Sequence, residues 1–174
     1  MDNSFLAYLQ RLEMMAFFSG YPLIYSLILF VAGNKQSKNN SRSSLVSFLP
    51  FSYALVGTLY LCLQLKNLYP DYSIGNIKLT VQLPYLKIWG LFSILFWLPA
   101  LGRKTVLSLV HSFVFFFFFV KDLFFQLSGL SADKNIVRND MKIYTVSLLL
   151  NLAAFALIIL IFFLFTRSRK LLRS

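Results

Sequence analysis

The residues that could carry chemistry in this chain fall on one helical stripe. At 100° per residue, Ser108, His111, Ser112, Asp122 and Gln126 point within about 60° of one direction. An imidazole and a carboxylate on one face could relay a proton or hold a ligand, and His111 is the chain's only histidine. On a helix, however, His111 and Asp122 stand about 16 Å apart along the axis, too far for direct proton transfer. The competing reading is a hydrogen-bonded packing face at one end, with Lys121 snorkelling beside an exposed Asp122 at the other. Further along, Ser147 and Asn151 share a face with Ala154. Small and polar side chains at that spacing let helices approach closely, and an Asn bonding across is worth about 0.6–2 kcal/mol. Gly20, Pro22, Ser52, Tyr53, Gly57, Gly90 and Ser93 are further candidates for helix contact surfaces.

Other chemistry is excluded more firmly. The chain has no H-E-x-x-H, no second histidine for haem or zinc, no G-x-S-x-G elbow and no phosphate or dinucleotide loop. It has no acidic cluster for a divalent cation. Cys62 is the only cysteine, which rules out an internal disulfide and reads as a small apolar filler. No catalytic residue, cofactor or metal is therefore expected, and an enzyme would have to work through His111 nearly alone.

The elements that must position these residues are membrane helices. Of 174 residues 58% are hydrophobic, 18% aromatic and 13% charged. A soluble domain carries roughly 25% charged residues. Apolar runs lie near 14–32, 46–65, 85–101, 105–126 and 142–165, four of them long enough for a hydrocarbon core of about 30 Å. The third, 85–101, reaches about 25 Å and contains Pro99. The expected fold is an all-α integral membrane bundle of five transmembrane helices without a soluble domain; the alternative has four, with 85–101 re-entrant. The run Phe115–Phe119 covers all sides of its helix and reads as lipid-facing and packing bulk.

Charge bears on orientation. The net charge of +11 would suggest nucleic acid in a soluble domain, but the cations sit beside apolar runs and read as anionic-lipid contacts instead. With five spans, the N-terminus outside and the C-terminus cytoplasmic, the inner side holds Lys35, Lys38, Arg42, Arg103, Lys104, Arg167, Arg169, Lys170 and Arg173. All six acids then fall outside. The Lys and Arg count itself, nine inside against eight outside, does not decide; a four-span chain gives ten against seven. The expected location is the plasma (inner) membrane. Tyr8, Tyr69, Tyr72, Tyr85, Trp89 and Tyr144 gather at the outer surface of this scheme, where amphipathic rings are favoured.

Two connections have distinct compositions. Residues 34–44 are polar, small and basic and read as a flexible loop. In the outer loop 67–84, segment 77–83 alternates apolar and polar residues as a strand does. It could lie in the interface, lead irregularly into the next helix, or offer Ile77, Leu79, Val81 and Leu83 as an edge to a partner's strand. Asn139 and Asp140 occupy the N-cap position expected for the last helix. The function these features imply is non-catalytic: an accessory, anchoring or assembly subunit packed against other membrane protein subunits. The alternative is a small transporter or channel acting as a homo-oligomer.

Overall fold

The computed structural model describes residues 3–34, 45–128 and 134–171, and every regular element among them is helical. In chain order these are α1 (Asn3–Phe18), α2 (Tyr21–Asn34), α3 (Leu49–Leu68), α4 (Ile74–Thr80), α5 (Pro84–Leu91), a 3-10 helix (Phe92–Trp97), α6 (Pro99–Gly102), α7 (Thr105–Ser128) and α8 (Lys134–Leu171). Four stretches are long and apolar enough to cross a membrane: Phe5–Val31, Leu45–Leu68, Thr105–Phe125 and Met141–Ser168. The first extends well before residue 14 and takes in Arg11 and Glu13, which find partners on other helices. The last helix begins at Lys134, so Asn139 and Asp140 lie inside it and do not cap it; their side chains are outside the described residues, as is the basic loop from Lys35 to Ser44.

The segment 85–101 is not one helix. Leu91 ends α5, Leu98 is extended at φ −68° and ψ 131°, and α6 begins at Pro99. Proline removes a donor and drives the residue before it out of the helical region. Together α5 and the 3-10 helix reach about 24 Å. They run antiparallel along α3, at distances that small residues permit. A methyl group on Gly90 would lie 3.3 Å from the Tyr60 ring, and one on Gly57 would lie 2.0 Å from Ser93 Oγ. Trp97 Nε1 donates to Thr58 Oγ1 at 3.0 Å, and Gly102 lies against the Phe51 ring.

The alternating segment 77–83 forms no strand. Ser73 caps α4, its hydroxyl accepting from Asn76 N–H, and the helix continues to Thr80. In a helix, Ile77 and Leu79 point about 200° apart, so of the three outcomes the edge for a partner's strand is not formed. Leu79 is exposed, Val81 is half-buried and Leu83 packs against the main core. The chain then bends by 105° into α5, with Leu83 in the left-handed region at φ 52°. One buried side chain from α1 holds this bend. Gln10 Nε2 donates to Thr80 C=O at 2.6 Å, and Gln10 Oε1 accepts from Gln82 N–H at 2.9 Å. One donor and one acceptor, to residues two apart, is what a neighbouring parallel strand would supply at one position. The alternation thus meets a side-chain amide in place of a strand.

The core is aromatic. Phe18 stacks on Phe115 with centroids 4.8 Å apart, and presents its edge to Tyr53 and Tyr60. Such pairs add about 0.5–1.5 kcal/mol each beyond area burial. Within the phenylalanine run, Phe115 and Phe119 (i, i+4) face inward while Phe117 is 60% exposed. Tyr144, expected at the outer surface, is buried and stacked on Phe119 at 4.4 Å. Tyr8, Tyr69, Tyr72 and Tyr85 are exposed.

Candidate functional site

The α7 stripe is divided between two sets of partners. Its lower part faces α2, α3 and α5. Ser108 Oγ donates its single proton to Thr105 C=O at 2.7 Å, so the Tyr21 hydroxyl donates to Ser108 Oγ at 2.8 Å. Ser112 is buried and its hydroxyl donates to Leu109 C=O. His111 makes bonds from both ring nitrogens, Nδ1 to the Tyr53 hydroxyl and Nε2 to Trp89 C=O, each at 2.8 Å. A carbonyl can only accept, so in the neutral ring Nε2 carries the proton and Tyr53 donates to Nδ1. Trp89 returns a bond, Nε1 donating to His111 C=O at 3.1 Å, and the two rings stack at 4.7 Å with 9° between planes. Trp89 is therefore a helix-to-helix tie and not an outer-surface anchor. The imidazole keeps no free lone pair with which to take a proton.

The upper part of the stripe behaves differently. Asp122 Oδ1 accepts from Arg11 of α1 at 2.6 Å, so it is ion-paired across helices and not simply exposed beside Lys121. The Arg11 guanidinium also lies 5.4 Å from the Phe118 ring, and Lys121 reaches over Phe125. The Gln126 side chain is outside the described residues. His111 and Asp122 are not brought together.

Ser147 and Asn151 of α8 meet the interruption between α1 and α2. The last carbonyls of one helix and the first amides of the next lack intrahelical partners, and Pro22 at the start of α2 brings no donor. Asn151 Nδ2 donates to Phe17 C=O at 2.8 Å, and Ser147 Oγ accepts from Gly20 N–H at 2.8 Å. Gly20 is required there: a Cβ would lie 2.7 Å from the backbone of Ser147 and Leu148.

A third polar group has no counterpart in the sequence reading, which placed its charges outside the bundle. Gln64 Nε2 donates to Glu13 Oε2 at 3.4 Å, and Lys87 at the start of α5 is 7% exposed. Glu13 is close enough to act electrostatically on Lys87 and on the buried Tyr60 hydroxyl. The available signal was spacing. Gln10 and Glu13 lie at i, i+3, and Tyr60 and Gln64 at i, i+4, each pair on one helix face.

No known protein family, characterised protein or solved structure matches this chain. Its chemistry has to be read from its own geometry. Among the described residues no three His, Cys, Asp or Glu side chains converge to hold a metal. Cys62 is exposed on α3 and is not a core filler. A groove of about 290 Å³ lies between the 3-10 helix and α7, lined by Trp89, Phe92, Phe96, Leu101, Leu107 and Val110 with His111 at its floor.

Proposed function

We propose that this protein is a multi-pass membrane protein with a non-catalytic role, an accessory or assembly subunit whose helices pack against other membrane protein subunits. The observation that carries the reading is how the polar side chains are used. His111, Ser108, Ser147, Asn151 and Asp122 are all spent on joining one helix to another. The exterior is left apolar: only 28% and 22% of the residues in the most apolar stretches of α7 and α8 are buried. Groups already bonded internally do not turn over a substrate, whereas a long unburied apolar face is what lipid or a partner helix covers.

Five crossings with the N-terminus outside and the C-terminus cytoplasmic, in the plasma (inner) membrane, fit this reading. Support comes from the register of 84–102 along α3. Gly90 lies at Tyr60, Ser93 at Gly57 and Gly102 at Phe51, so the segment descends along α3 from Tyr60 to Phe51, about half of that helix, before α7 climbs back. A re-entrant segment would return to the level where it began. The basic turn Gly102–Lys104 and the tail then share the inner face with anionic lipid.

Mild extraction followed by native mass measurement tests the role. Co-purification with different polypeptides is expected; a monomer would overturn it, and exclusive homo-oligomers would overturn it and favour the transporter or channel reading. A reporter fused after Gln36 tests the crossings, since five place it inside and four place it outside.

A further inference from the structure

The groove beside His111 has a chemistry that none of its neighbours uses. It exists because the narrow 3-10 helix packs chiefly on α3 and leaves space between itself and α7. The Trp89–His111 stack closes its floor. Its rim faces away from the bundle: Phe92 is 47%, Leu95 44%, Leu107 41% and Val110 59% exposed. Its wall is almost wholly carbon, since Trp89 Nε1 and His111 Nε2 are both committed to backbone carbonyls. At about 30 Å³ for a group of water or methylene size, 290 Å³ accommodates some ten such groups. That is a substantial part of one acyl chain.

One end of the groove is charged. Leu101 and Leu107 line it, and the chain joining them passes through Arg103 and Lys104, both exposed. No acid lies between Asp71 and Asp122 in the sequence, and among the described residues neither cation makes an ion pair. We infer that the groove between the 3-10 helix and α7 is a specific site for one anionic phospholipid. The acyl chain lies over Trp89, Phe96 and Val110, and the phosphate lies at Arg103 and Lys104. The apolar trough fixes the chain, and the two cations select the headgroup. The inference rests on the placement of the Gly102–Lys104 turn at a membrane face; it does not depend on the accessory role.

The test uses the full chain in nanodiscs of phosphatidylglycerol and phosphatidylcholine, released into mild detergent for native mass measurement. The wild type is expected to retain one phosphatidylglycerol in preference to phosphatidylcholine. The double variant R103Q/K104Q should lose that preference by about thirtyfold, roughly fivefold for each cation. The groove-filling variant Val110→Trp should retain neither lipid while keeping the wild-type unfolding midpoint, because Val110 faces outward. Leu107→Trp provides a second filling variant should the first fail to fold. Equal retention of both lipids by the wild type, or phosphatidylglycerol retention unchanged in both filling variants, would overturn the site. Displacement of the bound species by millimolar inorganic phosphate alone would also overturn it, since the acyl contacts would then be idle. A modification assay on Arg103→Cys from either side of the membrane separates failure of the site from failure of the membrane placement.

Discussion

Replacing Asn151 by Leu asks whether α8 holds the interrupted first span together. The two side chains share a branched skeleton of four heavy atoms, so the shape is kept and the amide is what is lost. Nδ2 donates to two carbonyls at 2.8 Å, those of Phe17 and Ser147. The Ser147 carbonyl sits four residues back in the same helix and is already the acceptor for the Asn151 amide. The Phe17 carbonyl lies in the last turn of α1 and has no intrahelical donor. Asn151 is 2% exposed, so water does not replace the lost bond. A buried acceptor left alone costs about 1–3 kcal/mol, while interhelical bonds in membranes average about 0.6 and reach about 1.7 kcal/mol. The overlap gives about 1–2 kcal/mol for Asn151→Leu, a five- to thirtyfold fall in the folded-to-unfolded ratio. Dodecyl sulfate titration in mixed micelles, followed by tryptophan emission, measures it. Ser147→Ala, acting on the same break through the Gly20 N–H, should be non-additive with Asn151→Leu. A cost below about 0.3 kcal/mol, or one fully additive with that of Ser147→Ala, would refute the stitching argument.

Other substitutions probe separate contacts. Gly57→Ala places a methyl group 2.0 Å from Ser93 Oγ and should destabilise by about 1–3 kcal/mol; Ser93→Gly removes the obstructing atoms and should recover part of the thermal unfolding midpoint. His111→Phe keeps the ring stack but removes one donor from Trp89 C=O, which keeps the Phe92 N–H, and orphans the Tyr53 hydroxyl, so stability should fall by about 2 kcal/mol. In a Trp97→Phe background, the Trp89 emission maximum should shift as well. Asp122→Asn breaks a pair whose side chains are 32% and 23% exposed. Its cost should stay within about 1 kcal/mol and decline with added salt.

How much was legible in the sequence depended on how local the cause was. Apolar runs near 46–65 and 105–126 became helices with nearly those ends, because desolvation of each side chain acts residue by residue. The inward stripe of α7 was visible for the same reason, since helical periodicity alone places Ser108, His111 and Ser112 together. The identity of the partners was not visible. Hydropathy assigns Glu13 and Lys87 their full individual transfer costs and so expels both; in the folded chain each side chain faces opposite charge or an amide, and the cost falls. Segment 77–83 misled in another way. Seven alternating residues suit a strand or a short capped helix equally, and what decides is Gln10, some seventy positions away. Trp89 reads as an interface aromatic by type, yet its indole and its carbonyl both answer His111.

The first helix also orders the assembly in time. Gln10 holds the bend after α4, Arg11 meets Asp122, and Phe17 and Gly20 wait for α8. All of these partners are synthesised later, the last of them more than a hundred residues later. When α1 leaves the ribosome its Phe17 carbonyl, its Gly20 amide and its two charges are uncompensated, and they become satisfied one after another as each following helix arrives. On the proposed membrane reading, the first span keeps these groups unmet until the later helices arrive. Nascent chains halted before α8 should remain bound to the insertion machinery or to a chaperone, and release should await the arrival of Ser147 and Asn151.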